Sequence, residues 1–126
     1  VPALQWAQVT GTISGVKAGC LLINDSKHGH SLYGHVLRLT LIRSSYDPDP
    51  TPEIGHHAIR LALLPFKGEL HVEQAIREGQ AFNHALCPVG TSVHSGSLKA
   101  VGQFFSVKSG PVLVSAVKKP TDGNGP

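Results

Sequence analysis

Residues 18–30 read AGCLLINDSKHGH. Ala18–Ile23 is a short apolar run bounded by turn-forming residues, the pattern of a strand buried on both faces. It stops abruptly at Asn24-Asp25-Ser26-Lys27-His28-Gly29-His30, whose short polar side chains hydrogen-bond nearby backbone and so favour a turn over a ladder. A buried strand delivering a polar loop is the signature of a β-scaffold, and the flanking sequence repeats the theme.

Downstream, Val36–Ile42 (VLRLTLI) sets Val36, Leu37, Leu39 and Leu41 around Arg38 and Thr40, an alternation that predicts a strand. Upstream, residues 4–9 (LQWAQV) predict a first strand, followed by a turn over Gly11–Gly15. The stretch 44–52 (SSYDPDPTP) carries Pro48, Pro50 and Pro52. Proline fixes φ and donates nothing to a ladder, so this segment is an extended loop. Residues 56–64 (HHAIRLALL) predict another strand, halted by Pro65 and Gly68. The period then changes. Leu70, Val72, Ala75, Ile76 and Phe82 follow a helical spacing, which predicts one short helix near residues 70–83, weakened by Gly79. Strands are expected again at Gly102–Lys108 and Val112–Lys118, around a turn at Ser109-Gly110-Pro111, with residues 120–126 a flexible tail or a truncated loop. The fold class is mainly β, all-β apart from that helix.

Composition narrows the function. A chain of 126 residues has the size of one domain, and 14 Gly and 9 Pro with only 15% charged residues suit short strands and many turns. The net charge of +3 is scattered from Lys17 to Lys119, with Lys118-Lys119 the only adjacent basic pair, which argues against nucleic-acid binding. No run of about 18 apolar residues predicts a membrane span, and the opening residues lack the pattern of a signal peptide. Cys20 and Cys87 have no metal-site spacing, and two reduced thiols in a cytoplasmic protein are the simplest expectation.

Eight histidines raise the question of metal binding. His28-x-His30 with His35 could offer imidazoles, but no carboxylate follows before Asp47, and turn-capping histidines are the plainer reading. His56 and His57, adjacent at a strand entrance, would point to opposite faces and not chelate one ion together. Asp47 and Asp49 each precede a proline, which shapes a rigid loop rather than the paired carboxylates of glycoside hydrolysis. No nucleophile elbow or phosphate-binding glycine loop is present. Composition and spacing alone give a soluble β-rich domain.

A family resemblance goes further. Leu22–Gly29 (LINDSKHG) resembles the LLNDSKYG signature of the C-terminal part of glycoside hydrolase family 38 α-mannosidases, and Leu37–Ser44 (LRLTLIRS) resembles the family's LRLTLLRS strand. Pro48-Asp49-Pro50 matches its PDP turn, Gly55 and His57 its G-x-H, and the run Val112–Lys119 (VLVSAVKK) follows in family order. The resemblance extends from about Trp6 to Lys119. His28 stands where tyrosine is usual, Glu53 where aspartate is common, Phe66 where histidine often follows proline, and Ala85 replaces a usual proline.

The resemblance implies a segment, residues 1–119, of a galactose-mutarotase-like β-supersandwich that buttresses a catalytic domain. The parent would be a retaining, zinc-dependent enzyme removing terminal α-linked mannose from glycans. Its zinc ligands and nucleophile would lie in an N-terminal part that is this segment's partner, leaving here no catalytic residue, no metal ligand and no cofactor. The residues expected near the substrate cleft are Asn24, Asp25, Lys27 and His28 of the polar loop, with Arg43, Asp49 and His57. The competing role is architectural, with Asn24 and Asp25 closing a turn and Arg43 pairing with an aspartate of the proline loop. Two other functions compete: a free-standing carbohydrate-binding sandwich using Trp6, Tyr33 and Tyr46, and a small cupin-like metal enzyme using His28, His30 and His35. The compartment expected is the cytoplasm, with a vacuole- or lysosome-like one as the alternative, and exposed strand edges would favour an oligomer or missing partner strands.

Overall fold

The computed structural model describes residues 3–51, 53–108, 112–121 and 123. Contacts divide the chain into two units, Val1–Cys87 and Pro88–Pro126, and each is described by itself.

In the first unit β1 (Trp6–Ile13) and β2 (Val16–Asn24) form an antiparallel hairpin. Its turn is the pair Ser14 and Gly15, at φ 51° and 80°. Two successive positive φ values give the backbone twist that matches paired strands. The turn is therefore tighter than the expected Gly11–Gly15, and Gly11 lies inside the strand opposite Ala18. Two short strands, β3 (His30–Tyr33) and β4 (Val36–Leu39), pair antiparallel as a separate two-stranded sheet. β5 (Leu61–Lys67) returns to pair with β2, giving the order β1-β2-β5, and α1 (Val72–Asn83) follows. The architecture is mainly β, with five strands in two antiparallel sheets and one short helix among the described residues.

The core lies between one face of the three-stranded sheet and α1. Registers Trp6↔Ile23↔Ala62 and Leu21↔Leu64 put these side chains on one face, since opposed residues share a face. Leu21, Ile23, Leu70 and Ala75 are buried, with Trp6, Ala62, Leu64, Phe66 and Phe82 packed against them. Glycine makes two close approaches possible. A Cβ on Gly19 would stand 2.4 Å from both the Phe66 ring and the Val9 carbonyl oxygen, so the ring fills the space a side chain would take. A Cβ on Gly79 would lie 3.1 Å from Trp6 Cδ1. Gly79 is thus a packing position in the helix rather than only a weak point.

Several sequence expectations are corrected. β5 starts at Leu61, leaving His56 and His57 outside the strand, and it runs through Pro65 instead of stopping there. The ladder explains the tolerance. Gly68 N–H donates to Lys17 O at 2.8 Å. Antiparallel bonding alternates, so Pro65 opposite Cys20 occupies a non-bonded position and its nitrogen faces the open edge. β4 ends at Leu39, three residues before the expected Ile42.

In the second unit, the described parts of the expected strands Gly102–Lys108 and Val112–Lys118 carry neither helix nor strand, and the turn proposed at residues 109–111 lies outside the described residues, as do 122 and 124–126 of the proposed tail. A strand needs a partner for its backbone groups. Phe104, Phe105, Val107, Val112, Val114 and Val117 accordingly stand exposed.

Candidate functional site: a loop fixed by Asn24

Asn24 is the last residue of β2 and is completely buried. Its Oδ1 accepts a hydrogen bond from Lys27 N–H at 2.6 Å, closing the turn, and its Nδ2 donates to Leu4 O at 3.4 Å. Its backbone N–H donates to Gln5 O at 2.9 Å, and its carbonyl accepts from Asn83 Nδ2 at 3.1 Å. Four groups on one residue thus join the chain preceding β1, the polar loop and the last turn of α1. Such full engagement is what a buried amide needs, because an unpaired polar group in the interior is costly.

Asp25 follows at the surface and accepts from Arg60 at Oδ2, from the backbone N–H at 3.2 Å and from Nε at 3.3 Å. Burial pushes its carboxyl upward, but hydrogen bonds from Ser26 and Arg60 and the arginine's charge outweigh that and hold it below the usual aspartate value. The Arg60 guanidinium also lies 5.1 Å from the Phe82 ring centroid and donates to Phe82 O at 3.5 Å. A cation is well placed there, over an aromatic face and against the carbonyls that end a helix. His28 Nδ1 lies 2.8 Å from Leu4 O. A carbonyl can only accept, so the ring is protonated at Nδ1, and a neutral ring keeps an acceptor at Nε2.

The other expected site residues lie in the irregular stretch between β4 and β5. Asp49 Oδ1 accepts from Thr51 N–H at 3.0 Å, a local turn of the type aspartate favours before proline. His57 Nε2 donates to Glu53 O at 2.8 Å. The Glu53 carboxyl sits below its usual range, chiefly through the Ser44 hydroxyl and then its own backbone and the nearby His57. Arg43 is exposed. The structure therefore brings Asn24, Asp25, Lys27 and His28 together, whereas Asp49 and His57 make their hydrogen bonds within their own segment. Among the described residues the aspartate–arginine pair is Asp25 with Arg60, not Arg43 with the proline loop. Sequence reasoning missed Arg60 and Asn83, which reach the loop across 35 and 59 positions. Their periodic placement in a strand pattern and a helix pattern gave no sign of that reach.

Among the described residues no three His, Cys, Asp or Glu side chains are placed to share a metal ion, so the His28–His30–His35 arrangement of the cupin-like alternative is not assembled. No described helix is long and apolar enough to cross a membrane.

One fully buried asparagine at the end of β2 thus fixes the polar loop on the sheet. No family model and no solved structure matches the chain. It is 30% identical over 120 residues to alpha-mannosidase G of Dictyostelium discoideum, covering 94% of this chain and 11% of that protein. It is 33% identical over 116 residues to alpha-mannosidase 2C1 of Homo sapiens, covering 90% and 11%. An alpha-mannosidase of Saccharomyces cerevisiae is 35% identical over 66 residues, 52% of this chain. The chain is homologous to one stretch of these α-mannosidases, consistent with the C-terminal region of glycoside hydrolase family 38, and it spans about a tenth of the length of the curated relatives it matches.

Proposed function

We propose that this chain is a C-terminal β-domain segment of a retaining, zinc-dependent α-mannosidase that removes terminal α-linked mannose from glycans. The single observation that carries the segment reading is coverage: 94% and 90% of this chain align with only 11% of the length of the Dictyostelium and human α-mannosidases. The many exposed apolar side chains, among them Leu4, Ile13 and Leu32, suit a surface that other polypeptide covers.

The chemistry fits that division. A retaining site needs two carboxyl groups about 5 Å apart, one as nucleophile and one as acid and then base. The remainder of the polypeptide supplies both, together with the zinc ligands. Within this segment, Asn24 and Asp25 shape the loop, and Lys27 and His28 carry the groups that extend from it towards a sugar. The parent works in the cytoplasm, a reading supported by Cys20 and Cys87 standing unpaired as thiols. Trp6, on which a free-standing sugar-binding module would lean most, packs instead against the Leu21–Ile23 core.

The test compares the 126-residue chain with the full-length polypeptide that carries it, using a chromogenic α-mannoside and elemental analysis for zinc. Turnover and stoichiometric zinc in the full-length polypeptide alone are expected. Turnover by the short chain would overturn the reading.

A further inference from the structure

The two outer edges of the three-stranded sheet are built differently. β5 presents Pro65, whose nitrogen faces outward with nothing to donate, and Lys67. Proline and lysine are the usual means by which an edge is kept from pairing. β1 reads WAQVTGTI, with no proline and no charge over eight residues. Its bonding with β2 follows the Asn24 N–H to Gln5 O contact, so by alternation Trp6, Gln8, Thr10 and Thr12 aim their backbone groups away from β2. Beside this edge lies an apolar groove of about 710 Å³, lined by Leu4, Trp6 and Gln8 on one side and by Leu32 and Leu37 of the β3–β4 hairpin on the other. Leu4 is 73% exposed and Leu32 53%, and among the described residues the groove's lining includes His30 but no lysine, arginine or carboxylate.

We infer that β1 is a docking edge: an uncharged, apolar strand from the rest of the α-mannosidase polypeptide adds to Trp6–Ile13 and seats its side chains in the Leu4–Leu32–Leu37 groove. This rests on the proposed function. Three arguments select that occupant. The curated relatives are about nine times longer, so ample chain exists to supply a strand. The groove's mainly apolar lining, with Leu4, Trp6, Leu32 and Leu37, calls for apolar side chains. The protected β5 edge shows that growth of the sheet is directed to one side. Backbone pairing would supply affinity and the groove the selection of alternate side chains, as in other strand additions.

Hydrogen exchange on the 126-residue chain and on the full-length polypeptide reads the two edges separately. Peptides covering residues 6–13 should exchange at least about tenfold more slowly in the full-length polypeptide, while peptides covering the outward positions of β5 should not change. Thr10→Pro removes an outward N–H without touching a bond to β2. It should abolish the extra protection in the full-length polypeptide and leave the short chain's β2 amides as they were. Equal exchange at residues 6–13 in the two proteins would overturn the inference. So would protection that grows with concentration in the short chain and matches the full-length level, which would assign the edge to a second copy. α-Mannoside turnover by the full-length polypeptide in the same samples separates the two ideas: turnover without added protection sinks only the docking edge, and absence of turnover sinks the enzyme reading itself.

Discussion

Replacing Asn24 by alanine tests the central packing argument. The change removes the 2.6 Å bond from Lys27 N–H and the 3.4 Å bond to Leu4 O. The first is short and well formed, and its loss leaves a half-buried N–H without its partner. The second is long, and Leu4 O retains its 2.8 Å bond from His28. Counting about 1.5 kcal/mol for the first and about 0.5 kcal/mol for the second gives a loss of about 2 kcal/mol. With a urea dependence of about 2 kcal/mol per molar, the midpoint should fall by about 1 M. Trp6 is the single tryptophan and packs on the core, so its fluorescence reports the transition directly. Asn83→Ala should also destabilise, since Asn83 bonds both Asn24 O and Gly79 O. The two losses should not simply add, because both act at residue 24. A midpoint shift for Asn24→Ala within the range of an ordinary surface substitution, below about 0.5 kcal/mol, would refute the reasoning.

Three further outcomes are expected. Gly19→Ala should cost about 1–3 kcal/mol in urea unfolding, because its Cβ meets a backbone oxygen as well as the Phe66 ring and the strand cannot simply yield. The Asp25 carboxyl titrates below its ordinary value in the folded chain. Its contribution is therefore fully present above about pH 4 and lost as pH falls through the lower folded value, so Asp25→Asn should lower stability at neutral pH, converge with the unsubstituted chain at acid pH, and so flatten the acid limb of stability against pH. Gly79→Leu should destabilise despite the better helix propensity of leucine, since Trp6 stands 3.1 Å from the new Cβ. Circular dichroism melting curves would show the sign.

How far the sequence could be read depends on the reach of each interaction. The apolar run Ala18–Ile23 and the polar stop after it are local patterns, and β2 with its loop falls where they predict. The helix near residues 70–83 is likewise periodic, and it forms over Val72–Asn83. Pro65 misled because a proline's effect depends on which way its nitrogen points, and that is set by the pairing partner rather than by neighbours in sequence. The strands expected at Gly102–Lys108 and Val112–Lys118 have the right composition, yet composition cannot supply the neighbour a strand requires. In the candidate site, Asn24 and Asp25 stood out as turn-formers. Their anchors Arg60 and Asn83 did not, because a strand residue and a helix residue become loop supports only after the chain has folded back.

The bond from Asn83 to the Asn24 carbonyl makes the loop's shape conditional on the far end of the helix. Any event that frays the last turn of α1, whether a nearby substitution, a proteolytic nick or the approach of another chain, withdraws a latch from the opposite end of β2. The polar loop thereby acts as an indicator of whether the helix is seated, a mechanical dependence between two features that lie 59 residues apart.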